Sequence, residues 1–192
     1  MTRHDLEHII RASADITDRY EFVIIGSQSI LGAVPYPPEV FTVSMEADIY
    51  PMDAPELAEK IEGRIGEGSK FHETHGYYAQ GVGPETAILP AEWLSRVHRV
   101  HRVQNENTNG RVGYCLDLVD LFLSKAAAGR EKDRDLCKAL LEHGYVNLAQ
   151  VLPLLPTMPL DAQAQRRLRA AIQRWVRRLR EAGQDIADSQ CL

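Results

Sequence analysis

Two carboxylates two residues apart, Glu46 and Asp48, lie in the segment Phe41 to Tyr50, where Thr42, Ser44, Glu46 and Asp48 alternate with Phe41, Val43, Met45, Ala47 and Ile49. This period-two pattern predicts a strand with a core face of apolar side chains and an open carboxylate face. Residues i and i+2 share a strand face, so the two acids stand close enough to hold a divalent cation. Acidic pairs on exposed strand faces are also common without any ligand, so the neighbouring sequence has to decide. Upstream, Phe22-Val23-Ile24-Ile25 is short and β-branched and reads as a buried strand, leaving through Gly26-Ser27-Gln28-Ser29 into the short piece Ile30 to Ala33. A strand that exits through Gly-Ser into a helix aims backbone N–H groups and a hydroxyl at one spot, which suits a phosphate.

A third constellation comprises Asp117, Asp120, Lys125 and the run Gly129-Arg130-Glu131-Lys132-Asp133. Its spacing fits a solvated, charged helix hairpin. It fits equally a phosphate grip in which Lys125 meets a triphosphate, Arg130 or Lys132 meets phosphate or sugar, and Asp133 orients one of these cations. His98-x-x-His101 lacks a nearby third ligand and reads as two surface histidines rather than a metal pair.

Positioning these groups requires an α/β protein. At 192 residues and 44% hydrophobic, the chain can bury one core. The pattern predicts a single compact unit, with a mixed sheet flanked by helices over residues 1–145 and a helical extension packed on it over 146–192. Helix is predicted over Asp5 to Arg19, with Leu6, Ile9 and Ile10 inward, and from Asp53-Ala54-Pro55 to about Gly66, with Leu57, Ile61 and Ile65 inward. Pro35-Tyr36-Pro37-Pro38 forces an extended loop between the Gly-Ser turn and the acidic pair. Further strands are expected over Tyr77 to Val82, Arg96 to Val103 and Val112 to Leu116, with a polar turn over Asn105 to Gly110. The remainder reads as helices over Asp117 to Ala128, Arg130 to His143, Leu148 to Leu155 and Leu160 to Ala182.

The net charge of −5 is unevenly spread. Residues 1–95 hold 6 Lys+Arg against 16 Asp+Glu, and residues 96–192 hold 16 against 11. That asymmetry fits a metal site beside a polyanion-binding surface, and equally two halves that attract each other. The last helix carries seven arginines between Arg166 and Arg180 around a stripe of Leu168, Ile172, Trp175, Val176 and Leu179. A charged outer face over a core stripe explains it; so does an RNA-docking surface, although no aromatic platform typical of single-strand binders is expected beside it, and the spacing leaves both open. Cys115, Cys137 and Cys191 are odd in number and far apart, which argues for isolated thiols and against a disulfide framework or zinc knuckle. No signal-peptide pattern and no run of about 20 apolar residues is present, so a cytoplasmic protein without a membrane span is expected.

Taken in order, Gly26-Ser27, Ser44-Met45-Glu46-Ala47-Asp48-Ile49 and the stretch Leu118 to Asp133, ending Lys125-Ala-Ala-Ala-Gly-Arg130-Glu-Lys132-Asp133, resemble the nucleotidyltransferase superfamily of the DNA polymerase β type. They are most similar to its small bacterial abortive-infection and toxin–antitoxin members. The resemblance covers Tyr20 to Leu141. It implies that Gly26, Ser27 and Ser29 face the nucleotide phosphates, that Glu46 and Asp48 are catalytic and bind Mg²⁺, and that Lys125, Arg130, Lys132 and Asp133 complete the nucleotide site, with Lys125 catalytic. It further implies transfer of a nucleoside monophosphate from an NTP, such as ATP, to a hydroxyl of RNA, protein or a small molecule, with an antitoxin as partner. Two positions depart from the pattern. Glu46 stands where aspartate is commoner, and the strand Gly76 to Val82 carries Gln80 where active members carry a third carboxylate, leaving Glu73 or Glu85 to reach in from loops. The alternative implied by that departure is a catalytically degenerate nucleotide- or partner-binding module.

Overall fold

The computed structural model describes residues 1–101, 108–184 and 186. In chain order the elements are α1 (Arg3–Thr17), β1 (Glu21–Ile25), α2 (Ile30–Ala33), β2 (Glu46–Pro51), α3 (Ala58–Ile65), α4 (Lys70–His75), β3 (Tyr78–Gly81), β4 (His98–Val100) and β5 (Val112–Cys115). Four helices follow: α5 (Leu118–Ala128), α6 (Glu131–Glu142), α7 (Leu148–Leu154) and α8 (Ala162–Glu181). The strands form one mixed sheet in the order β3-β2-β1-β5-β4. β1 runs antiparallel to β2 and parallel to β5, β2 is parallel to β3, and β4 is antiparallel to β5. The protein therefore has the α/β fold that its patterning predicts, with a helical C-terminal region. No helix among the described residues is long and apolar enough to cross a membrane.

Contacts divide the chain into two compact units, Met1–Ala87 with Leu94–Asp117, and Ile88–Trp93 with the chain from Leu118 on. The first contains the whole sheet. β1 is central, and Phe22, Val23, Ile24 and Ile25 are buried on both faces, which is why this strand reads as an unbroken apolar run. Leu6, Ile9 and Ile10 of α1 and Ile61 and Ile65 of α3 are buried, as their helical spacing requires, whereas Leu57, expected on the same stripe, is half-buried in the 3₁₀ turn Pro55–Leu57 that precedes α3. α1 starts with a capping box between Thr2 and Asp5. Its Arg3 is held by Glu7 at 3.2 Å and donates to the carbonyl of Leu31, so α1 satisfies an orphan carbonyl of the short α2.

The second unit is a helical layer around Leu121, Phe122, Leu123, Leu140, Leu141, Val151, Ile172 and Val176. α6 ends where Gly144 adopts φ +67°, and Tyr145 N–H bonds back to the Leu140 carbonyl at 3.0 Å. α8 begins under the Asp161 side chain, which accepts from Ala164 N–H at 2.7 Å. Cys115 in the first unit and Cys137 in the second are free and buried, and burial pushes both thiols up to about 12. Cys191, Val103 at the end of the fourth expected strand, and residues 105–107 of the expected polar turn lie outside the described residues.

Two local expectations are corrected. The strand expected from Phe41 starts only at Glu46, because β3 offers its first partner there, Tyr78. Glu39–Phe41 instead forms a 3₁₀ turn, and Val43 and Met45, read as core, are 75% and 52% exposed. α4 is an additional helix between α3 and β3, capped by Ser69, whose hydroxyl accepts from His72 N–H at 3.1 Å. β3 itself lies tightly against α3: a Cβ on Gly81 would run into the backbone carbonyl of Ala58. Gly81→Ala should therefore cost about 1–3 kcal/mol of stability, typical of overpacking against a part that cannot move aside. Urea denaturation followed by circular dichroism checks it, and a change within error of zero would show that α3 slides freely on β3.

Candidate active site: an acidic pair on a glycine turn

Gly26 closes β1 with φ +73° and ψ −171°, a region open essentially only to glycine. The reason lies across the sheet. Ile25 pairs with Asp48 in the antiparallel β1–β2 register, and a Cβ on Gly26 would collide with the Asp48 carboxylate. The missing side chain is thus the seat on which Asp48 rests. After Gly26 the chain makes a 3₁₀ turn over Ser27–Ser29 and enters α2. Ser29 is fully buried and its hydroxyl donates to the Gly26 carbonyl at 2.8 Å, so it braces the turn from within. Gln28, also buried, donates to the Phe41 carbonyl at 3.1 Å and ties the turn to the loop leading into β2. Ser27 is half-buried, and no hydrogen bond holds its hydroxyl among the described residues. Of the two serines, Ser27 is the one placed to meet a ligand.

Glu46 and Asp48 share one face of β2 and are both half-buried, while Ala47 and Ile49 between and beyond them are fully buried. β3 adds a second row to that face, since Glu46 pairs with Tyr78 and Asp48 with Gln80. The Tyr78 hydroxyl donates to Glu46 Oε2 at 3.2 Å. Burial, and then the charge of Glu46, push the phenol up to about 12, so Tyr78 stays a donor throughout the neutral range. Gln80 pairs with Asp48 in the β2–β3 register, the position for which the sequence resemblance implies a third acid. Of the two carboxylates expected to reach in from loops, Glu73 lies on the helix α4 and Glu85 in the 3₁₀ turn Pro84–Thr86, and each acts on another partner. Glu73 is ion-paired with Lys70 at 2.7 Å on α4, and Glu85 acts on the buried phenol of Tyr50, which burial and that charge raise to about 12. Among the described residues no group of three or more His, Cys, Asp or Glu is arranged to hold a metal by protein ligands alone. The donor set that is present, two carboxylates on an open face, matches the way Mg²⁺ is held by one or two acids with phosphate and water completing the shell.

The other predicted residues lie in the second unit. Asp133, buried at the first turn of α6, accepts from Arg130 Nε at 2.7 Å and Nη2 at 3.3 Å, and lies 3.5 Å from Lys125 Nζ. Burial works against its charge, but the Arg130 hydrogen bonds and the two nearby cations outweigh it and hold the carboxyl below its ordinary value. Arg130 is largely exposed, Lys125 is mostly buried, and Lys132 is exposed. The structure thus brings Lys125, Arg130 and Asp133 into one cluster, and Gly26, Ser27, Glu46 and Asp48 into another. His98 and His101 part company: His98 Nε2 meets Asp117 Oδ2 at 2.9 Å, and His101 Nδ1 lies 3.2 Å from the Arg111 carbonyl. Tyr78 is the residue that the sequence reading passed over. It stands two positions before Gln80 on the same strand face, and only the cross-strand register marks this phenol as a partner of Glu46.

A family model described as a nucleotidyltransferase of unknown function, DUF6036, matches residues 4–179. No curated protein and no solved structure matches the chain.

Asp133 supplies a prediction with a definite sign. A carboxyl depressed in the folded state stabilises above its unfolded value and loses that contribution as pH falls through the folded value. Asp133→Asn should cost on the order of 3 kcal/mol at pH 7, because Lys125 is left partly buried without its counter-charge. The penalty should begin to shrink as pH falls below about 4, where the unfolded carboxyl takes up its proton, and be lost at the lower pH where the folded carboxyl does too. Urea midpoints of the two proteins between pH 3 and pH 7 measure it; a penalty independent of pH would contradict the ion-pair origin.

Proposed function

The chain belongs to this nucleotidyltransferase family, and on that premise we propose that it moves a nucleoside monophosphate from an NTP to an acceptor hydroxyl with the help of Mg²⁺. The observation that carries the reading is the Asp48 carboxylate seated on the side-chain-free Gly26, with Glu46 on the same open strand face. Glu46 and Asp48 would hold the ion, which when bound neutralises triphosphate charge and orients the reacting groups. Ser27, at the mouth of the turn, would donate to a phosphate oxygen. Tyr78 keeps one oxygen of Glu46 hydrogen-bonded and so fixes which way its carboxylate turns. Lys125 and Arg130, held by Asp133, are the cations we assign to the triphosphate, with Lys132 alongside. In the transfer an acceptor oxygen bonds to the α-phosphorus, the bond from that phosphorus to the bridging oxygen breaks, and pyrophosphate departs with the electron pair. The acceptor proton passes to water on the open face, since the Gln80 amide cannot take it.

A cytoplasmic setting with RNA, a protein side chain or a small molecule as acceptor fits this reading, as does an antitoxin partner in a toxin–antitoxin or phage-defence system. One observation favours a second reading. Gln80 occupies the register position of Asp48, so a protein that binds nucleotide without transferring it would have the same residues. Labelled NTPs incubated with the protein, Mg²⁺ and total RNA or cell lysate separate the two. Transfer that falls at least a hundredfold in Asp48→Ala supports the enzyme. Transfer that persists in that variant removes the metal assignment, and NTP binding without transfer by the wild type selects the binding module.

A further inference from the structure

We propose that the arginine face of α8 is a docking surface for single-stranded RNA, with Trp175 as the platform for one base. α8 carries seven arginines, no lysine and a single acid, Glu181, in a chain whose net charge is −5. Its buried stripe is Leu168, Ile172, Val176 and Leu179, and the arginines occupy the rest of the circumference. No ion pair joins Arg166, Arg167, Arg169, Arg174 or Arg178 to a carboxylate among the described residues; Arg177 approaches the exposed Glu181 at 3.9 Å. An ordinary solvated helix face interleaves both signs. Here five of the seven arginines have no carboxylate partner among the described residues, so the electrostatic complement of this face is a polyanion.

The second observation concerns shape. Between α6 and α8 lies a cavity of about 220 Å³, lined by Trp175 and Arg178 from α8 and by Glu131, Arg134, Asp135 and Lys138 from α6. Trp175, which the sequence pattern places on the buried stripe, is instead half-buried on this wall, beside Arg134 and Arg178 and the paired Lys138 and Asp135. Lys138 is paired with Asp135 at 2.9 Å, and Glu131 belongs to the first turn of α6, where the helix dipole favours an acid. Arg134 and Arg178 remain to face a ligand. At 100° per residue, Arg167, Arg174 and Arg178 fall within about 40° of one another, on the Trp175 flank of the helix. A phosphate backbone can follow that row while a base turns in to stack on the indole, with guanidinium groups available to both. A duplex keeps its bases stacked inside and offers Trp175 nothing. Among unpaired strands we commit to RNA, and DNA is an outcome of the test.

This inference does not depend on the acidic pair or on nucleotidyl transfer. It is tested by fluorescence anisotropy with a short end-labelled single-stranded RNA over a salt series. With about three phosphates engaged, log K should fall with log salt at a slope near −2. The triple variant Arg167→Glu/Arg174→Glu/Arg178→Glu should bind at least tenfold more weakly while its circular dichroism is unchanged. RNA should quench tryptophan fluorescence in the wild type, and that quenching should be lost in Trp175→Ala, where Trp93 remains as the internal reference. Equal binding by the triple variant, absence of binding at low salt, or equal affinity for duplex RNA would each overturn the proposal. Tighter binding of single-stranded DNA of the same sequence would overturn the choice of RNA.

Discussion

Asp48 and Gly26 exclude each other's alternatives. The carboxylate occupies the volume where any other residue at position 26 would place its Cβ, and the backbone there takes a conformation that only glycine adopts without strain. That contact exists because β1 and β2 are antiparallel in a register that sets Ile25 opposite Asp48. A slip of one residue would turn Glu46 and Asp48 into the core and Ala47 and Ile49 out to solvent, which the burial of β2 forbids. The apolar pattern of the two strands therefore fixes the place of a charged group that takes no part in the core.

From this seat the acidic pair is shaped by β3. The parallel β2–β3 pairing aligns Tyr78 with Glu46 and Gln80 with Asp48, so the site has two acids in one row and two neutral hydrogen-bonding groups in the next. Such an arrangement can share a cation with a ligand that brings its own oxygens, and it has little capacity to accept a proton. The Lys125–Arg130–Asp133 cluster is built on the opposite principle. Its acid is buried and saturated, and its role is to hold two cations in fixed positions.

Much of this was legible in the sequence because each signal had a local cause. The buried run Phe22 to Ile25, the glycine after it, and the alternation of Glu46 to Ile49 require only strand sterics and burial, and they lead to the correct sheet. The reading failed where partners rather than pattern decide. Alternation from Phe41 to Met45 looks like strand, yet no neighbouring strand reaches that far, and Val43 and Met45 are left in solvent. Ser29 has the same side chain as Ser27 but turns it inward to the Gly26 carbonyl, a difference set by two residues of rotation along a 3₁₀ turn. Tyr78 became visible only through the cross-strand register, which no single strand contains.

The central claim is that Glu46 and Asp48 jointly hold the divalent ion at the Gly26 turn. Crystals soaked with Mn²⁺ and a non-hydrolysable NTP, measured at the manganese edge, test it most directly. The account predicts an anomalous peak within inner-sphere distance, about 2.0–2.2 Å, of a carboxylate oxygen from each residue, with the triphosphate on its far side. A bound nucleotide whose metal touches neither Asp48 nor Glu46 would contradict it.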